Sequence, residues 1–164
     1  MLPPWPGWDG LHPLVIHFPV ALLLVAPVFL ILAAVWRRHA MGFGLSALIL
    51  LALGTAAAFV AVETGEAAAE LADRTEAITA VIARHSELAE RARDMFAVIT
   101  AGYAVLLVLP RFVKRLASPS AQMVVTLVVL GAVLAAGLQI AAAAHQGGLL
   151  VHKFGVHAML PKGS

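Results

Sequence analysis

Four long apolar segments determine what this chain can fold into. They lie at about residues 13–36, 42–62, 85–109 and 121–144, and a helix of about 20 apolar residues crosses a bilayer core of about 30 Å. The composition agrees, because 62% of the residues are hydrophobic and the mean hydropathy is +0.94. We therefore predict an all-α integral membrane protein, a single four-helix transmembrane bundle formed by residues 1–164.

The third segment is the least apolar of the four and predicts a helical extension. Its apolar part, residues 95–109, is too short to cross the bilayer without the polar residues 86–94. The whole connection 63–94 is rich in Ala, Glu, Leu and Arg and has no proline, which favours helix. We expect the third helix to begin near Thr75 and to rise above the membrane.

The basic residues predict the orientation. They cluster in the two loops on one side of the bundle, at Arg37, Arg38, Arg111, Lys114 and Arg115. The positive-inside rule places both loops in the cytoplasm and both termini outside. The segment before the first helix has no Lys or Arg, which favours a retained span over a cleaved signal. We predict a multi-pass protein of the bacterial inner membrane with periplasmic termini and no nucleic-acid partner.

Six of the seven histidines fall on the outer side of this topology. They are His12, His17, His85, His145, His152 and His157, whereas His39 lies in a basic loop. An imidazole at membrane depth is costly without a partner, so a group on one side predicts a haem or metal site. The chain has no cysteine, which excludes thiolate ligands and the covalent attachment of a c-type haem.

Spacing along the helices separates the histidines. His17 lies about one turn inside the first helix, where we expect burial in the bundle and a bend at Pro19. His12 lies five residues before His17, which is about 7.5 Å along the helix axis and about 140° around it. The two histidines therefore cannot easily bind one ion from a regular helix. His85 begins an inward stripe that continues through Ala89, Ala92 and Phe96. The alternatives are backbone-bonded imidazoles at His12 and His17 and an exposed imidazole at His85.

The residues after the fourth span predict a tail over the outer face. Gly147 and Gly148 are expected to end the helix, and the apolar residues that follow predict a re-entrant or lid segment within 145–164. His145 and His152 would flank the turn. Arg91 and Arg93 are candidates to bind haem propionates, and salt bridges to neighbouring carboxylates are the alternative.

Both ends of the chain carry a resemblance to a known family. The run from His12 to Pro19 has the form HPxxxHFP, and His145-x-Gly-Gly-x-Leu-x-His152 closes the fourth span. This pattern resembles a widespread family of bacterial four-helix membrane proteins in which a histidine commonly precedes the third span, as His85 does. Its members are often fused to, or encoded beside, c-type cytochromes, which implies membrane electron transfer.

Three functions are compatible with these features. The first is a b-type cytochrome-like electron-transfer subunit, rather than a stand-alone enzyme, with one or two haems b bound by paired histidines. Its ligand candidates are His17 and His85, then His145, His12 and His152. Its partners would be lipid, a periplasmic c-type cytochrome or quinol, and other membrane subunits. The alternatives are a His/Glu site for zinc, iron or manganese, and a cofactor-free structural subunit.

Overall fold

A computed structural model of the chain describes residues 7–72 and 75–156, and within them it contains helices but no strand. The α-helices are α1 (His12–Val15), α2 (His17–Val35), α3 (Ala40–Glu70), α4 (Glu76–Val108) and α5 (Pro119–His152). Four stretches are long and apolar enough to cross a membrane: His12–Val35, Arg37–Glu70, Glu76–Arg111 and Pro119–His152. The predicted all-α, four-helix membrane fold is confirmed.

The bundle consists of two helical hairpins. Helix α2 packs against α3, α4 packs against α5, and the hairpins meet through α3 with α4 and α2 with α5. Their shared core contains Leu23, Leu30, Leu51, Phe96, Tyr103 and Val133. The outer surface is also apolar, with Val98 74% and Leu138 70% exposed. Since no water-facing helix carries so many exposed large apolar residues, this surface is suited to lipid.

The two basic loops lie together at one end of the bundle. Arg37 donates a hydrogen bond of 2.6 Å to the carbonyl oxygen of Pro119, which joins the two loops directly. From this end, α3 rises 21 residues to Ala61, and His85 of α4 lies 23 residues before the last residue of that helix, Val108. At about 1.5 Å per residue both distances are roughly 30–35 Å. Residues 61 and 85 therefore lie about one bilayer thickness from the basic end.

Two helix starts follow from local chemistry. Helix α4 begins as predicted, because the Thr75 hydroxyl accepts a hydrogen bond from the backbone N–H of Ile78. The first span is interrupted at Ile16, between α1 and α2. Pro19 has no N–H to donate to the carbonyl of Val15, which explains the break. The helix is thus interrupted next to His17, close to where the sequence predicted a bend.

The predicted tail is wrong for the residues that the structure describes. Helix α5 continues through Gly147 and Gly148 to His152, so no lid or re-entrant turn forms between residues 145 and 152. The chain turns only at Gly155, which has a positive φ of 64° and donates its N–H to the Val151 carbonyl oxygen. Residues 157–164, including His157, lie outside the described part of the chain.

Candidate functional site

A cavity lies inside the bundle at the end opposite the basic loops. It has about 850 Å³ of empty volume, including the part that opens to the outside, and all four spans line it. Most of its walls are apolar, with alanines of α3, α4 and α5 providing the space and Leu23 and Phe96 closing its inner end. Its polar lining residues are His12, Glu66, His85, Ser86 and Arg93. A largely apolar lining with a few polar side chains is typical of a small-molecule or cofactor site.

His12 is held against helix α3 by one ring nitrogen. Its Nδ1 lies 3.0 Å from the carbonyl oxygen of Ala61 and 3.3 Å from Thr64 Oγ1. A carbonyl oxygen only accepts, so Nδ1 must carry the proton. The ring also packs over Gly65, where an added Cβ would lie 2.9 Å from His12 Cε1. Carbonyl and glycine together fix the imidazole and its tautomer.

His85 is held against helix α5 in the same way. Its Nδ1 donates to the carbonyl oxygen of Ala143 at 2.8 Å. The ring packs over Gly147, where an added Cβ would lie 3.2 Å from His85 Cε1. The predicted inward stripe is confirmed, because His85, Ala89, Ala92 and Phe96 all line the cavity. The backbone bond, which the sequence gave as an alternative for His12, is thus present at both rings.

The two imidazoles face one another across the cavity. Their ring centroids are 6.5 Å apart and their planes make an angle of 88°. In a neutral imidazole with a proton on Nδ1, the second nitrogen, Nε2, carries the lone pair that binds metals. The structure therefore brings together two of the five predicted ligands, each with the tautomer that metal binding through Nε2 requires.

The other three predicted ligands lie elsewhere. His17, His145 and His152 are all exposed, and none of them lines the cavity. The expectation that His17 is buried in the bundle is wrong. The break at Ile16 leaves His12 facing α3, and His17 then points away from it, in agreement with the predicted angle between them. His145 and His152 lie on the outward face of the continued α5.

The two predicted arginines have different surroundings. Arg91 is exposed and pairs with Glu87 at 2.6 Å. Arg93 lines the cavity, stacks 5.1 Å from the centroid of the Phe59 ring and bonds Asp94 through Nε at 2.8 Å. The salt bridges given as the alternative are thus present for both. Within the described residues, the terminal nitrogens of Arg93 donate no hydrogen bond.

A non-haem metal site finds less support in this arrangement. Among residues 7–72 and 75–156, no group of three or more His, Asp or Glu side chains is placed to hold a metal ion. The carboxylate nearest the histidines along the lining is Glu66, which is exposed. The site geometry is that of a facing imidazole pair rather than a mixed His/Glu cluster.

Sequence reasoning missed the glycines that hold the histidines. Gly147 was interpreted as a helix end, and Gly65, within the connection 63–94, was given no role. A shared spacing in the sequence could have indicated both glycines. Ala61 precedes Gly65 by four residues, and Ala143 precedes Gly147 by four residues. Four residues is one helical turn, which places the alanine carbonyl beside the surface that the glycine leaves open.

Comparison with known proteins identifies the family to which the chain belongs. No curated protein and no solved structure matches the chain significantly. The DUF2231 family, described as predicted membrane proteins, matches residues 9–159, which include every element of the cavity. The four apolar helices agree with that description. The chain therefore belongs to the DUF2231 family of predicted membrane proteins.

Proposed function

We propose that the protein is a membrane electron-transfer subunit of b-type cytochrome character, with one non-covalent haem b held between His12 and His85. The observation that carries the proposal is this facing pair of imidazoles, each with Nδ1 bound to a backbone carbonyl. Metal-ligating histidines almost always donate their other ring N–H to a carbonyl, a carboxylate or water, which fixes the ring and raises its basicity.

The distance between the rings supports a shared metal. Two imidazoles that bind one metal at about 2.0 Å each have centroids roughly 6 Å apart, since each centroid lies about 1 Å behind its nitrogen. The observed separation is 6.5 Å.

The lining supports haem over a bare ion. The walls between the two histidines are mostly alanine and larger apolar side chains, which suit a porphyrin. Arg93 lies on α4 at the cavity wall, eight residues or about two helical turns after His85. Its terminal nitrogens suit a propionate carboxylate, which guanidinium binds in a fork. When bound, haem would supply a one-electron carrier.

The position of the pair suggests where electrons enter and leave. The histidines lie about one bilayer thickness from the basic loops, which the positive-inside rule assigns to the cytoplasm. A haem held there would exchange electrons on the periplasmic side, with a c-type cytochrome or with quinol. Because the proposal has one haem near one face, the protein would pass electrons along that face as part of a larger membrane complex.

The test is a dithionite-reduced minus oxidised spectrum of the detergent-purified protein, with a pyridine haemochrome assay. We expect a b-type α-band at about one haem per chain. His12→Ala and His85→Ala should each lose most of the bound haem, and added imidazole should restore part of the spectrum if the side chain was a ligand. His39→Ala, at the basic end, is the matched control and should keep the full band.

His17→Ala distinguishes the two ligand assignments. Full haem in His17→Ala together with loss in His12→Ala supports the pair proposed here. The reverse result would replace His12 with His17 as the partner of His85. A flat spectrum from folded wild-type protein, expressed with ample haem, would refute the proposal, and metal analysis would then separate a metal site from a structural subunit.

A further inference from the structure

The two hairpins repeat one another in the register of their buried residues. All five buried residues of α5 lie 82 positions after a buried residue of α3: Thr126, Val129, Val133, Ala136 and Ala143 follow Gly44, Ala47, Leu51, Gly54 and Ala61. In α2 and α4 the shift is 73 positions, and Ala92, Phe96 and Tyr103 follow Pro19, Leu23 and Leu30. One constant shift for each pair of helices is what an internal repeat of the helical hairpin would produce.

The residues of the site are related by the same two shifts in sequence position. His85 lies 73 positions after His12, and the carbonyl and glycine that hold it, Ala143 and Gly147, lie 82 positions after Ala61 and Gly65. The helix contacts agree with a two-fold axis along the bundle, because such an axis exchanges α2 with α4 and α3 with α5 and leaves the set of packed pairs unchanged. Parallel repeats related by an axis along the membrane normal are known in membrane proteins.

Each histidine is fixed within its own hairpin. His12 Nδ1 bonds to acceptors on α3, and His85 Nδ1 bonds to an acceptor on α5. Each hairpin therefore carries a complete arrangement of imidazole, carbonyl acceptor and glycine. The two arrangements meet only across the cavity, where the rings are 6.5 Å apart.

We propose that the site consists of two equivalent half-sites, one in each hairpin, in which Gly65 and Gly147 are positioning residues that keep the proton of each imidazole on Nδ1. The inference rests on the proposed function, since both half-sites would hold the proposed haem. An added Cβ would lie 2.9 Å from His12 Cε1 at position 65 and 3.2 Å from His85 Cε1 at position 147, so each ring would have to shift relative to its carbonyl acceptor.

The experiment pairs each positioning glycine with a control in the same helix. Gly147→Ala is compared with its neighbour Gly148→Ala, and Gly65→Ala with Gly42→Ala, because an added Cβ at either control meets no atom within 4 Å. Haem affinity is measured by titration of the apo-protein. We expect similar losses of about 10–100-fold for the two positioning variants, as for other partners of metal ligands, and changes under about twofold for the controls.

A second readout works without haem. In ¹⁵N-histidine-labelled apo-protein in alkaline buffer, where imidazole is neutral, long-range ¹H–¹⁵N spectra report which nitrogen carries the proton. The signals that vanish in His12→Gln and His85→Gln identify the two rings. We expect both rings to carry the proton on Nδ1 in the wild-type protein. In Gly65→Ala or Gly147→Ala we expect a mixture of the two tautomers for the ring that contacts the substituted residue. Circular dichroism checks that each variant is folded.

The outcomes separate this inference from the function. Two results would overturn the proposal of equivalent half-sites. One is that the wild-type rings carry the proton on Nε2, and the other is that only one of the two positioning variants loses haem. Nδ1–H rings that shift in both variants, in a protein that never binds haem, would support the half-sites and refute the cytochrome proposal. A shift with loss of haem in both variants supports the two together.

Discussion

At the scale of single residues, side-chain direction decides which polar groups reach the site. Arg91 and Arg93 are two positions apart on α4, so about 200° of helix rotation separates them. Arg91 consequently faces outward to Glu87, whereas Arg93 faces the cavity and Phe59. The sequence offered both as propionate ligands, because composition alone does not fix how a helix is rotated about its axis.

Arg93→Gln should weaken haem binding while Arg91→Gln should not. A charge-assisted hydrogen bond contributes about 1.5–3 kcal/mol, so we expect an affinity loss of roughly tenfold or more for Arg93→Gln. Arg91 pairs with Glu87 at an exposed site outside the cavity lining, where solvent screens the ion pair. Haem titration of the two apo-proteins gives the comparison, and equal affinities would remove Arg93 from the site.

At the scale of helices, glycine sets how closely two elements approach. Gly54 of α3 lies against Leu23 of α2, and an added Cβ would come within 2.7 Å of Leu23 Cγ. Gly147 does the same for a histidine ring, which is why it is retained in the interior of α5 although glycine costs a helix about 1 kcal/mol. Sequence reasoning took Gly147 and Gly148 for a helix stop, whereas tertiary contact explains Gly147.

Gly54→Ala should destabilise the bundle. Overpacking at a close helix contact costs about 1–3 kcal/mol, and this exceeds the gain in helix propensity from alanine. Gly42→Ala in the same helix meets no neighbour and should be neutral or stabilising by up to about 1 kcal/mol. Thermal unfolding in one detergent compares the two, and a Tm for Gly54→Ala at or above wild type would contradict the packing.

At the scale of the whole molecule, the two basic loops and the cavity with His12 and His85 lie at opposite ends. The loops with Arg37 and Arg38 and with Arg111, Lys114 and Arg115 lie at one end, and the cavity lies at the other. Helices α3, α4 and α5 contain 31, 33 and 34 residues, so at about 1.5 Å per residue each is longer than a core of about 30 Å. The bundle thus extends past the bilayer.

Single-cysteine labelling should reveal the orientation without background, since the chain has no native cysteine. Leu71→Cys lies beyond α3 at the histidine end, where Leu71 is 63% exposed, and Ala117→Cys lies in the exposed loop at the basic end. A membrane-impermeant maleimide should label Leu71→Cys in intact spheroplasts and Ala117→Cys only after permeabilisation. Labelling of Ala117→Cys in intact spheroplasts would place the histidine end in the cytoplasm.

The sequence by itself determined the class of fold and the end of the bundle at which His12 and His85 lie. Four apolar segments specify four membrane helices, and helix order with loop charge places six histidines on one side. Only the tertiary structure decided that His12, rather than His17, faces His85. The reason is physical: helix rotation and the continuation of α5 past two glycines depend on contacts between helices that are far apart in sequence, and local pattern contains neither.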